Sequence, residues 1–159
     1  MITGLGLDAR FRRMDKRDVP TLVKMSKSNM SHILLSAWGT EWKDDTLVHA
    51  VLDPDSYTEV LEIDGEIVGY FTVIRRIDSV FIISIQLHRQ YQQQGLGSLM
   101  MARIEEWGER YTLERVELWV QSTNDIAIKF YEHLGYKMAG RQGNNYLMRK
   151  TIGRDSGAS

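Results

Sequence analysis

The chain has no cysteine among its 159 residues. Disulfides, thiolate metal sites and a cysteine nucleophile are therefore excluded. It also lacks a surplus of charge: 20 Lys and Arg stand against 21 Asp and Glu, for a formal net charge of −1. That balance argues against the electrostatic footprint of a nucleic-acid binder. No apolar run approaches the ~20 residues needed to span a bilayer, so no membrane partner is expected. The opening Met1-Ile2-Thr3-Gly4-Leu5 has neither the basic start nor the long apolar core of a signal peptide, which predicts a cytoplasmic protein. No internal repeat is visible. The length suits one domain over residues 1–152, able to bury roughly two-thirds of its unfolded surface, with Gly153–Ser159 as a mobile tail.

The pattern of apolar residues predicts an α+β chain. A short strand around Phe11 and Met14 precedes Asp18, a candidate N-cap, with Pro20 early in a helix from Val19 to about Leu35. A second helix is expected from Asp44 to Leu52, stopped by Asp53-Pro54-Asp55. Strands at Thr58–Ile63 and Glu66–Arg75 are joined by Asp64-Gly65, a strong two-residue hairpin signal. A third strand covers 80–87. A helix follows, running from Leu99 to about Tyr111, with Leu96, Leu99, Met100, Ile104, Trp107 and Tyr111 near one face. In the strand at 115–121, Val116, Leu118 and Val120 alternate with Glu117, Trp119 and Gln121. This makes a βαβ unit whose strands, 80–87 and 115–121, run parallel. Asn124-Asp125 opens a short helix with Ile126, Ala127, Phe130 and Leu134 inward and Gly135 as its C-cap. Tyr136–Arg141 and Tyr146–Ile152 form a closing hairpin.

The most informative stretch is Gln92-Gln93-Gln94-Gly95-Leu96-Gly97-Ser98, a two-glycine turn between a strand and a helix. Such a turn aims several backbone N–H groups, and the positive end of the helix, at one spot. It is suited to a phosphate or pyrophosphate. Here too absences narrow the choice. Gly97 is followed by Ser98 with no lysine, so the loop is no Walker A motif. A dinucleotide fingerprint needs a third glycine and a place at the first turn of a parallel sheet, and both are missing.

Gln92-Gln93-Gln94-Gly95-Leu96-Gly97 resembles the Gln/Arg-x-x-Gly-x-Gly/Ala signature of the GCN5-related N-acetyltransferase (GNAT) superfamily. The segment from Asn124 to Tyr136 is similar to that family's Asn-x-x-Ala-x-x-Phe-Tyr-x-x-x-Gly-Phe, with Tyr136 in place of Phe. The likeness covers roughly residues 10–152. It implies a mixed αβα sandwich on a twisted, mostly antiparallel sheet, whose parallel βαβ pair splays at the cofactor site. It further implies acetyl-coenzyme A as co-substrate, no metal, and direct transfer to an amine through a tetrahedral intermediate. The amides of Gln93 to Ser98 would take the pyrophosphate, with Gln92 in the same motif and Arg89 or Lys129 assisting. The pantetheine arm would pair with the strand edge at Ile85, Gln86 and Leu87, and Asn124 would bond that arm or orient the strand end. Tyr131 falls on the family's general acid, and an N–H near Leu87 would steady the oxyanion.

A general base is less legible. Many relatives carry Glu where this chain has Gln86, which accepts no proton. His88, Glu117, Glu41 or water held by Ser84 are substitutes, although His88 reads first as a surface histidine. The acceptor site of the superfamily maps to Trp38, Trp42 and Tyr146, where tryptophan faces beside carboxylates suit a cationic amine. The same tryptophans can be read as core cover. Protein N-terminus, lysine, polyamine, antibiotic and small metabolite all stay open as acceptors, as does a homodimer. The alternatives to an enzyme are a non-catalytic acyl-coenzyme A sensor and a nucleotide-binding module.

Overall fold

The computed structural model describes residues 8–153. The expected tail beyond Gly153 lies outside the described residues. The elements are β1 (Ala9–Arg13), α1 (Val19–Trp38), α2 (Asp44–Leu52), β2 (Ser56–Ile63), β3 (Glu66–Arg75), β4 (Ser79–Leu87), α3 (Leu96–Arg110), β5 (Arg115–Gln121), α4 (Asp125–His133), β6 (Lys137–Gln142) and β7 (Asn145–Thr151), with short 3₁₀ turns at Lys16–Asp18 and Arg89–Tyr91. This is the expected α+β fold, with a seven-stranded sheet in the order β1-β2-β3-β4-β5-β7-β6. β4 and β5 pair in parallel, while β1/β2, β5/β7 and β6/β7 are antiparallel. Among the described residues, no helix is long and apolar enough to cross a membrane.

Contacts group the described residues into two compact units. The first holds the chain up to Val73 together with Ile83–Met100, and the second Ile74–Ile82 together with the chain from Met101. In the first unit Leu22 and Met25 of α1, Leu47 and Val51 of α2, Val60 and Tyr70 form a buried cluster. In the second, α3 approaches the sheet so closely that a Cβ at Gly108 would lie 2.7 Å from Ile152 Cδ1 and 2.8 Å from Val80 Cγ2. Burying groups of this size supplies most of the driving force for folding.

Several local expectations need correcting. Asp18 makes no cap bond to α1. Its carboxylate instead accepts from the Asp15 N–H at 2.7 Å and from Arg12 at 2.8 and 2.9 Å, while Asp15 caps the 3₁₀ turn. α1 runs past Leu35 to Trp38 because Gly39, at φ 62°, adopts the left-handed turn that closes a helix. α3 begins at Leu96 rather than Leu99. Ile126 faces solvent at 78% exposure, and Tyr131 is the buried residue of α4. Gly135 sits one residue beyond the C-cap Leu134, at φ 98°. Glu117, outward by simple alternation, is buried because it lies opposite Arg149 in the β5/β7 register and pairs with it. The Asp64-Gly65 hairpin is as expected, both residues having positive φ.

One irregularity positions the site. On β3 the Cβ direction of Gly69 meets Leu87 Cδ2 at 2.9 Å and Met100 Sδ of α3 at 3.3 Å, while the next residue, Tyr70, reaches Ser26 of α1. Adjacent strand residues point to opposite faces, so Leu87 lies on the α3 face. Ser84 and Gln86, bonded to Tyr70 and to Asn29 of α1, lie on the α1 face. Val80, beside Gly108 of α3, is again on the α3 face. Strict alternation would give Val80 and Ser84 the same face. The alternation therefore slips by one residue between them, as at a β-bulge. The parallel ladder ends in the same stretch, at Ile82↔Leu118, although β4 runs on to Leu87 and β5 to Gln121.

Candidate active site

In the first unit the chain leaves β4 through a tightly bonded turn. His88 donates its N–H to the Val68 carbonyl at 2.7 Å, and its Nδ1 accepts the Gln90 N–H at 3.2 Å, capping the turn Arg89–Tyr91. Gln92 Nε2 donates to the Leu87 carbonyl and Gln94 Nε2 to the Gln90 carbonyl, both at 3.0 Å. These two bonds tie both glutamine side chains to the loop itself, and the main chain remains as a source of donors for a ligand.

The main chain is arranged for that role. Gln93 and Gly95 adopt left-handed φ of 61° and 84°, and no atom lies within 4 Å of a Cβ built at Gly95. Left-handed residues interspersed in a turn bring successive N–H groups to one side, forming an anion nest. Among the described residues, no loop or turn bond uses the N–H of Gln93, Gln94 or Gly95. The helical ladder starts with Leu99 N–H to Gly95 C=O at 3.2 Å, so the N–H groups of Leu96, Gly97 and Ser98 precede it. Leu96 itself is buried and offers only its backbone.

Beside this arc lies the half-buried segment Ser84, Ile85, Gln86 and Leu87. Asn29 of α1 reaches across to it, giving Nδ2 to the Leu87 carbonyl at 2.8 Å and to Gln86 Oε1 at 3.1 Å. The Tyr70 hydroxyl bridges Ser26 and Ser84, the latter at 3.0 Å. Burial raises the Tyr70 pKa, against the opposing pull of its two serine bonds. Sequence motifs alone do not single out Asn29, Ser26 or Tyr70. A signal exists in Leu22, Met25, Ser26 and Asn29, which share one helical face; the two polar members face the core side and need partners.

In the second unit Asn124 caps α4, its Oδ1 accepting the Ala127 N–H at 3.1 Å. Tyr131 is buried against Phe130 and Tyr136, with ring centroids 5.1 and 5.9 Å away. Burial, the sole cause, pushes its phenol up to about 12. Tyr136 donates to Glu105 Oε2 at 2.9 Å, and Lys150 holds the other oxygen at 2.8 Å. Burial, followed by the Glu105 charge, raises the Tyr136 phenol. Burial by itself would raise the Glu117 carboxyl, but hydrogen bonds from Arg149 and Ser79 and the charges of Arg149 and Arg115 outweigh it and leave it lowered. A carboxylate so held is a weak base.

Among the expected acceptor residues, Trp42 packs on the buried cluster of the first unit and gives Nε1 to Asp44 at 2.5 Å. Tyr146 is half-buried, with Arg141 5.6 Å from its ring centroid. The Trp38 side chain lies outside the described residues. Arg89 bonds the Ser28 carbonyl of α1 at 3.3 Å, whereas Glu41 and Lys129 are exposed.

Comparison with known proteins bears on the family and the fold. The model of the acetyltransferase (GNAT) family matches residues 22–136. An N-alpha-acetyltransferase of Sulfurisphaera tokodaii is 33% identical over 91 residues, covering 49% of this chain; the chain spans only about half of that relative, 54% of its length. The crystal structure of the PaiA N-acetyltransferase of Thermoplasma acidophilum in complex with coenzyme A superposes with a TM-score of 0.79 at 14% identity, covering 91% of this chain and 99% of that one. The ribosomal-protein-S18-alanine N-acetyltransferase of Escherichia coli gives 0.73 at 20% identity, over 92% and 95% of the two chains. These structural likenesses concern the fold.

Proposed function

Because the chain belongs to the acetyltransferase (GNAT) family, we propose that it moves an acetyl group from acetyl-coenzyme A directly to a primary amine, with both compact units acting as one catalytic domain. The observation that carries this reading is the arc of N–H groups from Gln93 to Ser98, without partners in the surrounding loop among the described residues and opening from left-handed backbone at Gln93 and Gly95. A diphosphate fits such an arc, since it accepts many hydrogen bonds and answers the positive end of α3. When bound, the co-substrate supplies an acyl carbonyl activated as a thioester.

The roles of the chain's own residues follow. The edge of β4 from Ile85 to Leu87, beyond the end of its ladder with β5, offers main-chain groups to the amide-bearing arm. Asn29 and Gln92 hold Leu87 from its carbonyl side, and its N–H is assigned to the carbonyl oxygen as negative charge develops there. Tyr131 supplies a proton to the departing sulfur. With its phenol pushed up to about 12, it carries that proton at every physiological pH. Asn124, through the cap of α4, fixes the start of the helix that carries Tyr131.

The missing base bears on the acceptor. Gln86 accepts no proton and its amide is bonded to Asn29. Neutral His88 has Nδ1 engaged as an acceptor, which leaves its proton on Nε2. A chain without a seated base favours amines that are already partly neutral. An α-amine of pKa near ~7.8 is roughly 10–15% neutral at pH 7, whereas an alkylamine near ~10.4 is less than ~0.1% neutral. The preferred acceptor is accordingly the α-amine of a peptide, its lost proton passing to water at Ser84. The same Gln86 favours a second reading, an acyl-coenzyme A sensor without turnover.

A panel of amines with acetyl-coenzyme A tests both, scored by released thiol and by the mass of the product. Turnover of peptide α-amines ahead of lysine side chains and polyamines is the expected result. Stabilisation of the fold by acetyl-coenzyme A with no acceptor turned over would establish the sensor reading instead.

A further inference from the structure

A groove of about 500 Å³ lies in the first unit between α1, the start of β3 and the turn after β4. Met25 and Ile67 contribute its apolar surface, while Lys24, Ser28, Arg89 and His88 contribute donors. None of the residues lining it is acidic, in a chain whose net charge is −1. Lys24 is exposed, and its side chain has no ion pair or hydrogen bond among the described residues. Arg89 uses one N–H on the Ser28 carbonyl at 3.3 Å, which anchors the guanidinium to α1 and leaves most of its five donors for a ligand. His88, with Nδ1 taken by the Gln90 N–H, keeps Nε2–H as a further donor. Asn29 also lines the groove, and it is the residue that bonds Gln86 and Leu87 of the β4 edge.

We propose that this groove is a subsite for a carboxylate of the acceptor, namely an acidic side chain close behind the α-amine of the peptide being acetylated. The proposal rests on the acetyltransferase reading above and narrows its substrate class. A concave surface that presents an ammonium, a guanidinium and an imidazole N–H attracts carboxylates and repels a second cation. Asn29 ties that surface to the strand edge where the acyl group is transferred. The enzyme therefore selects acidic peptides and turns over polyamines poorly. Lys24 acts as a specificity residue rather than a catalytic one.

The test uses two peptides that differ only in Asp and Glu against Asn and Gln at the second and third positions. Their binding to the full chain is measured by fluorescence anisotropy, and their acetylation by kcat/KM. For the wild-type chain the acidic peptide leads by about tenfold, a gap that narrows as salt is raised. Lys24→Glu reduces the acidic-to-neutral ratio by about tenfold and Lys24→Gln by about threefold, as expected for a rim charge rather than a buried pair. An unchanged ratio in both variants, or spermidine outrunning the acidic peptide in the wild type, would overturn the subsite while leaving the acetyltransferase reading intact. Preferential binding of the acidic peptide, lost in Lys24→Glu but with neither peptide acetylated, would keep the subsite and defeat the acetyltransferase reading.

Discussion

Replacing Tyr131 with phenylalanine removes a single oxygen and leaves the ring in place. The contacts that seat the ring, to Phe130 at 5.1 Å and Tyr136 at 5.9 Å, survive the change. Stability should stay within ~1 kcal/mol of the parent, in line with a substitution that opens no cavity. Turnover should not. Loss of a general acid costs ~10²-fold or more, which is about 2.7 kcal/mol of barrier at 1.36 kcal/mol per decade. The chain suits the assay, because with no cysteine of its own every thiol detected comes from the co-substrate.

The pH profile sharpens the test. A phenol at its ordinary value of 10.0 would lose half its protons by pH 10, whereas burial holds Tyr131 at about 12. Wild-type turnover should therefore show no basic limb from Tyr131 up to pH 10. Stability runs the same way. The folded phenol lies above its unfolded value, so its contribution is complete below pH ~10 and is lost as pH rises towards ~12. The phenylalanine variant should lose less stability in that window. Equal kcat for variant and parent at equal melting temperature would refute the acid assignment.

Three further outcomes are expected. Gly95→Ala places a Cβ on left-handed backbone at φ 84° with free space around it, so the cost falls on the loop conformation; the KM for acetyl-coenzyme A should rise about tenfold with a smaller change in kcat, read by steady-state kinetics. Gly108→Ala drives a Cβ to 2.7 Å from Ile152 and 2.8 Å from Val80, and overpacking of ~1–3 kcal/mol should outweigh the ~1 kcal/mol gain in helix propensity, lowering Tm by up to about 8 °C in a thermal melt. Glu117→Gln weakens the paired bond with Arg149. The folded carboxyl lies below its unfolded value, so the stability it adds is present at neutral pH and is lost as pH falls through the folded value; the variant should be ~1–3 kcal/mol less stable than the parent at pH 7 in denaturant unfolding, a gap that narrows as pH falls below the ordinary carboxylate range.

Much of the fold is legible in the amino-acid order because it rests on neighbours in the chain. The Asp64-Gly65 hairpin, the α2 boundaries and the βαβ crossover all follow from spacing and turn chemistry within a few residues. Misreadings arise where local rules meet distant partners. Asp18 resembles a helix cap by its neighbours, yet Arg12 on the preceding strand claims its carboxylate. Glu117 is solvent-facing by alternation, but the register brings Arg149 opposite it. Ile126 satisfies an apolar pattern on α4, but the phase that buries Tyr131 turns Ile126 outward.

By itself the sequence determined the glycine turn, the donors it leaves open and the order of elements around it, because backbone conformation there depends on which residues carry no Cβ and where a helix can begin. Tertiary structure decided the slip in β4, the hold of Asn29 on Gln86 and Leu87, and the basic groove on α1. Each of these joins groups far apart in the chain, Asn29 and Leu87 being 58 positions apart. Pairings at that range are set by how whole faces pack, and no local spacing encodes them.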